Sequence, residues 1–550
     1  MTIRHFVLAS LLSLFSFTAA FSNVVSDGYT DQRSYNPGDT VKIYVNGLGT
    51  FVHCQMDLMD INGVVVDSIL TNVAPQAPTI NDPWQDGYGY SLTATYIIPS
   101  TLKSGVYGWE NLIFFVVKSA LKNADITLVY PTNTEEAYSP AGGKSLYDYN
   151  SSGGRSHIVS FHRPYSAWMI QAVRGFSTGY LKWFNTLSGY SVQMIADIDM
   201  EDYAEIQASK ILVIVGHSEY WTRTARQNFD LFVNNGKDAV VLSGNTMWWQ
   251  VRYSSDKTQL ICYKDSSLDP EQDTSMKTVT WPTSYLHYSV LGSIGADWPH
   301  GAYANQSAFH GYYGYKILLP NSPLLAGTAL SFHSFVNCMA NEDDGTLFYG
   351  FDSNGDPIVD TTTLGFCKME LIGYDWGESI YYPSAPQIGY GTFIAFKKSP
   401  TSGNIINVGN SNWCSINTGS STGGFAGSDV AIIKTVSLNM INLLLAGSSI
   451  YSTPLICVPL TVENVKNPVN GCKVFPNPTS GELSIHLDSP SENNNVLEIF
   501  NPVGQLVQSK SLLNANEQQV DLSELSDGTY FYTIKRENEI ISRGKIILAR

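Results

Sequence analysis

The sequence predicts a multidomain α/β plus all-β protein: an N-terminal β-sandwich, a central open α/β sheet with large insertions, and a small C-terminal β-sandwich. Three observations carry that expectation. Between residues 126 and 242, short strands that are apolar at every position alternate with helical spacing, as a parallel sheet covered on both faces requires. On either side, runs with period-two alternation are broken by Pro, Gly, Asn and Asp turns. Only 15% of the 550 residues are charged, against 45 Gly and 32 Tyr, a balance that suits a β-rich exported chain. The formal net charge of −16, with no basic cluster, repels phosphate backbones and excludes nucleic acid as a partner.

The first twenty residues read as an export leader. Arg4 and His5 precede an apolar run from Phe6 to Phe17, and Thr18-Ala19-Ala20 supplies small residues for cleavage. The apolar run is too short to span a bilayer, and no later segment reaches the roughly 18 apolar residues that a membrane helix needs.

Residues 22–120 predict an antiparallel sandwich. The stretches Val41–Val45, His53–Leu58 and Val64–Ser68 alternate, with Pro37-Gly38-Asp39 and Ile61-Asn62-Gly63 between them. Tyr96–Ile98 and Asn111–Val117 add two more strands.

The central region, 125–450, opens on the strand Ile126–Tyr130. Ser166–Thr186 has helical spacing, Val192–Ala196 is a strand, and Asp199–Ile206 suits a short helix. Ile211–Val215 and Ala239–Leu242 are buried strands flanking an amphipathic helix at Thr222–Asn234, and Val430–Leu445 is a late helix. Residues 451–472 form a linker. From 473 to 550, alternation such as Leu483-Ile485-Leu487 and Tyr530-Tyr532-Ile534, split by Pro-Asn-Pro, Pro502-Val503-Gly504 and Asp-Gly turns, predicts the second, smaller sandwich.

The seven cysteines (Cys54, Cys262, Cys338, Cys367, Cys414, Cys457, Cys472) lie far apart with no CxxC pair. Zinc spacing is absent, so the cysteines read as structural, with disulfides permitted after export and an odd one left over.

In open α/β sheets, ligands bind beyond the carboxyl ends of the strands. Here those ends lead into Thr132-Asn133-Thr134, Asp197 with Asp199, Gly216-His217-Ser218-Glu219-Tyr220-Trp221, and Ser243-Gly244-Asn245-Thr246. This is a polar and aromatic rim over an apolar floor, as a pocket needs. A nucleophile elbow at Ser218 is disfavoured, because the strained turn wants Gly on both sides and Tyr220 holds the second place. His217 and Glu219 pair as a base and its orienter only if the segment runs extended. Trp248-Trp249 reads as pocket wall or core.

Two resemblances add to this reading. The tail resembles the type A sorting domain of the type IX secretion system, through Phe475-Pro476-Asn477-Pro478, Asn501-Pro502-Val503-Gly504-Gln505, Gly528-Thr529-Tyr530 and a basic, apolar last strand. It implies handling by that secretion machinery and a location at the cell surface or in the medium. Residues 125–415 resemble the large (beta) subunit of the N,N-dimethylformamidase family. The matching motifs are Tyr130-Pro131-Thr132-Asn133-Thr134, Ala137-Tyr138, Gly142-Gly143-Lys144-Ser145-Leu146-Tyr147 and Ser160-Phe161-His162-Arg163-Pro164-Tyr165. They continue through Gly216–Trp221, Ser243–Arg252 and Cys262-Tyr263-Lys264-Asp265, with weaker matches at Gly373-Tyr374-Asp375 and Val408–Trp413.

That second resemblance implies a glutamine-amidotransferase-like sheet and an amide hydrolase holding one Fe(III) with two tyrosines and a glutamate. By motif, the tyrosines correspond to Tyr220 and Tyr180. Phenolate is a hard donor suited to ferric ion, which would polarise a carbonyl and acidify a bound water. The glutamate is missing: its place aligns with Ala302, and the supporting histidine with His300. Either Asp297 or Glu219 then substitutes as ligand, or the metal site is broken; Asp375 and Glu378 are candidates for a supporting acid. The expectation is an exported hydrolase of a small amide or other C–N bond. The alternative is a catalytically inactive surface protein that binds a ligand or glycan on the same fold.

Overall fold

The computed structural model describes residues 24–167, 169–303, 314–337, 342–379, 388–416, 427–455, 472–487, 495–501, 506–513, 515–536 and 539–550. The expected leader, most of the expected linker and the Pro502-Val503-Gly504 turn lie outside them. The chain forms two compact units, Met1–Cys457 and Val458–Arg550, and β-structure dominates both.

The first unit opens with two sheets. One joins Val25–Thr30, Thr40–Gly47 and Ala94–Ile97; the other orders Ser34–Tyr35, Ile113–Val117, Gly105–Trp109, Val52–Asp60 and Val65–Val73. Inward residues of both, among them Tyr35, Val41, Ile43, Leu58 and Trp109, close one core.

The largest sheet follows. Val192–Ala196, Ile126–Tyr130, Ile211–Val215, Asp238–Leu242 and Asn404–Asn407 lie side by side and parallel. It continues antiparallel through Ile388–Lys397, Lys368–Glu378, Asp297–Tyr303 and Glu342–Gly345. The reason for the all-apolar strands is visible residue by residue. Ile211, Val213 and Val215 enter one cluster with Leu181, Phe184 and Met440. Their neighbours Leu212 and Ile214 enter another with Phe229 and Phe232. Strand alternation therefore sends every residue into a core, each large one contributing about 1.5–3 kcal/mol.

Helices supply those faces. Arg223–Asn234 is capped by the Thr222 side chain, which accepts from the Ala225 N–H; Gly427–Leu445 packs on the opposite face. The Ser166–Thr186 expectation is met in pieces, a π-turn at Met169–Val173 and an α-helix at Gly175–Phe184. The short helix expected at 199–206 is two 3₁₀ turns, Asp197–Glu201 and Tyr203–Glu205. In the first, Asp199 turns back to accept the Ala196 N–H, which satisfies a donor at the start of the turn.

The second unit holds a three-stranded sheet (Cys472–Phe475, Glu482–Leu487, Glu517–Asp521). It also holds a four-stranded sheet (Leu506–Leu512, Asn495–Phe500, Gly528–Arg536, Glu539–Leu548). Leu483, Ile485, Leu497, Ile499, Val520, Ile534 and Ile546 form its core. Cys367 is disulfide-bonded, while Cys54, Cys262 and Cys414 are free thiols; Cys338 and Cys457 lie outside the described residues.

Candidate functional site

The turn that ends Ile211–Val215 demands glycine. Gly216 has φ +73°, and a Cβ there would sit 2.0 Å from Ser177 Oγ. The chain then presents His217 and Glu219 on one side, with Nε2 3.3 Å from the Glu219 carboxylate. The loop after Asp238–Leu242 passes equally close: a Cβ on Gly244 would meet the Glu342 carbonyl at 2.2 Å. Asn245, at φ 52°, donates from Nδ2 to Glu342 Oε2 at 2.9 Å.

His217 is the centre of the cluster. Its Nδ1 lies 3.0 Å from the Gly244 carbonyl oxygen; a carbonyl only accepts, so Nδ1 carries a proton. Nε2 then faces Glu219 and Glu342, each at 3.3 Å, and the Tyr138 hydroxyl at 3.4 Å. Burial alone would discharge the ring, but the Glu342 and Glu219 carboxylates outweigh it and push the pKa up to about 9. Glu219, although burial pushes it up, is held below the usual carboxylate range by His217, Lys264 and the Tyr147 hydroxyl. Glu342 is pushed up by burial.

Tyrosines close the cluster. Tyr138 donates to Glu219 Oε2 at 2.8 Å and Tyr147 to Oε1 at 2.7 Å. Tyr220 accepts from Lys264 Nζ at 2.8 Å. Lys264 holds a left-handed backbone, φ 57°, and its ammonium lies 3.4 Å above the Tyr147 ring. Burial lowers its pKa to about 8. Tyr138 ends the short helix Thr132–Tyr138, whose Glu136 accepts from both Arg33 of the sandwich and Arg163.

His217, Glu219 and Tyr220 come together. Tyr180 lies on the helix Gly175–Phe184, fully buried, its ring stacked on Phe184 and edge-on to Trp183. It belongs to the large core cluster, whereas Tyr220 belongs to a separate one with Val251 and Cys262. The groups acting on the two phenols, Cys414 and Tyr190 against Glu219, Tyr138 and Cys262, do not overlap. Asp297 is paired with His300, Oδ1 to Nδ1 at 2.5 Å, and His300 is raised by that carboxylate against the opposing effect of burial. Asp375 is buried in its strand and accepts the Trp376 N–H at 2.8 Å; burial pushes it well up. Tyr180, Tyr220 and Asp297 are thus each engaged with different neighbours among the described residues. Among the described residues no cluster of three His, Cys, Asp or Glu side chains could hold a metal.

Tyr138, Tyr147 and Lys264 stand in the sequence motifs with no role attached, Asn245 stands there only as part of the polar rim, and Glu342 stands in none of them. The one signal for Glu342 is the run Glu342-Asp343-Asp344 in a chain poor in charge; all three acids pack into this region, and Asp343 and Asp344 are fully buried.

Residues 64–416 match the family N,N-dimethylformamidase beta subunit-like, C-terminal. The chain belongs to that family. Residues 473–549 match the secretion system C-terminal sorting domain, so this family member is exported through type IX secretion, to the cell surface or beyond. No helix among the described residues is long and apolar enough to cross a membrane. A search of curated proteins finds no match. Two solved structures match over a small part of this chain. One is an immunoglobulin-like β-sandwich protein of the DUF3244 family from Bacteroides vulgatus, with 12% identity over 14% of this chain and 84% of that one, TM-score 0.12. The other is domains 3 and 4 of rat CD4, with 18% identity over 14% of this chain and 40% of that one, TM-score 0.12.

Proposed function

We propose that this exported member of the N,N-dimethylformamidase-like family hydrolyses a small amide or other C–N bond at the His217–Glu219–Glu342 cluster. The observation that carries the reading is a buried imidazole held 3.3 Å from two carboxylates beyond the carboxyl ends of parallel strands. On this reading the parallel half of the sheet, with helices on both faces, is glutamine-amidotransferase-like.

Amide hydrolysis needs a base for water and an acid for the departing amine, with groups poised near the working pH. Glu342, pushed up by burial, suits the base. His217, kept cationic by its two carboxylates, suits the acid, and its tautomer is fixed by the Gly244 carbonyl. Glu219, satisfied by two tyrosine hydroxyls, holds His217 in place. Tyr180 takes no part in these proton transfers, because its ring stacks on Phe184 in the core.

The test is amine release from a panel of small amides by the full chain. His217→Gln and Glu342→Gln are expected each to lower kcat by about 100-fold or more, with KM little changed. Full activity in both variants would overturn the reading. A second reading, a ligand- or glycan-binding protein without turnover, is supported by Ala302 standing where the family's glutamate ligand would be. Binding on a small-amide or glycan panel without amine release would select it.

A further inference from the structure

Away from the His217 cluster, two cavities of about 760 Å³ and 360 Å³ lie where the sandwich meets the helix Gly175–Phe184. They share a wall that includes Asp60, Asn62 and Val106. The larger is floored by Leu128, Leu181, Phe184 and Met194, and its volume is that of a site for a small organic molecule. The smaller is lined by Arg174 and Lys182.

Arg174 is under-used. Its side chain is 4% exposed, its Nε donates to the Tyr130 hydroxyl at 2.7 Å, and its guanidinium lies 3.3 Å from the Phe114 ring centroid. Nη2 is buried with no hydrogen-bond partner, and such a group costs about 1–3 kcal/mol when left unpaired. Among the described residues the carboxylate beside it, Glu135, lies 3.4 Å from Nε rather than on the fork. Lys182 is exposed on the same wall and makes no ion pair among the described residues. Asp60, the acid on the shared wall, already accepts the backbone N–H groups of Asn62 and Val64, each at 2.9 Å.

A planar carboxylate matches a guanidinium fork, and an apolar body would cover Phe184 and Leu128. We propose that this crevice binds a small amphiphile with one carboxylate head, the head at Arg174 and Lys182 and the body in the larger cavity.

The probe is decanoate, titrated calorimetrically into the full chain, with decanol as the uncharged control. Saturable one-to-one binding of decanoate is expected, with decanol at least about tenfold weaker. Lys182→Glu, an exposed substitution, should weaken decanoate at least about tenfold, and Asn62→Trp, at the exposed rim, should do the same by filling the entrance. Absence of decanoate binding, equal binding of decanol, or wild-type affinity in both variants would each overturn the proposal. Because none of these residues touches His217, the amide-hydrolysis reading stands or falls separately.

Discussion

His217 Nε2 lies 3.3 Å from Glu342 Oε2, a contact between the loop after one sheet strand and the start of another at the far edge of the same sheet. Coulombic attraction to Glu342 is the largest effect opposing burial at that ring. Glu342→Gln leaves burial in place and removes that charge. The imidazole resonances of His217, which should titrate near pH 9 in the wild type, are expected to titrate well below that in the variant. An unchanged titration would mean that Glu219 alone holds the ring cationic.

The same raised pKa sets a stability window. His217 sits above its ordinary 6.5 in the folded chain, so its contribution is whole below about 6.5 and is lost as pH climbs through about 9. The size is on the order of 3 kcal/mol. Glu219, held low, contributes above its ordinary 4.5, and that part is lost as pH falls. Lys264, lowered to about 8, works the other way and adds stability between about 8 and its ordinary 10.5. The clean measurement is therefore the difference in urea unfolding between wild type and His217→Gln. It should be largest near pH 6 and shrink by pH 9.5.

Tyr180 and Tyr220 make opposite predictions as phenols. Tyr180 packs on Phe184 and Trp183, so Tyr180→Phe keeps the packing and should cost less than about 1.5 kcal/mol. Tyr220→Phe strips Lys264 of its acceptor at 2.8 Å and should cost about 1–3 kcal/mol. Elemental analysis and visible absorbance of both variants should match the wild type. A ferric–phenolate band lost in both would restore the paired-tyrosine iron site.

Much of this fold was legible because it is local. The strands Ile126–Tyr130 and Ile211–Val215 are almost wholly apolar, and the helix between Ile211–Val215 and Asp238–Leu242 shows in its amphipathic spacing. His217 and Glu219 were legible as a pair because two residues in an extended segment share a side. Glu342 was not, since its partnership depends on how Glu342–Gly345 docks at the sheet edge, with the Glu342 N–H donating to Ser411 Oγ, and no short-range pattern encodes that register. The surroundings of Tyr180 were not legible for the same reason. It was assigned by its motif resemblance, and which core it enters depends on the strand Ile211–Val215 and on Cys414, whose carbonyl accepts the Tyr180 N–H at 2.8 Å.

The sandwich also reaches the site through one side chain. Arg33 donates to Glu136, to the Phe161 carbonyl at 2.7 Å and to the Arg163 carbonyl at 3.3 Å, and its guanidinium lies 4.6 Å from the Tyr165 ring centroid. Glu136 belongs to the helix that ends in Tyr138, the donor to Glu219. Arg33→Met keeps much of the volume but takes a cation from a buried carboxylate that Arg163 alone must then satisfy at 3.3 Å. Breaking such a pair from one side costs about 3–5 kcal/mol, read as a lowered midpoint in urea unfolding. The loss should not stop at stability. If Arg33 fixes the helix, Tyr138 loosens and His217 should titrate differently in the variant even where the chain remains folded. A destabilised variant whose His217 titration is unchanged would reduce Arg33 to a weld between sandwich and sheet.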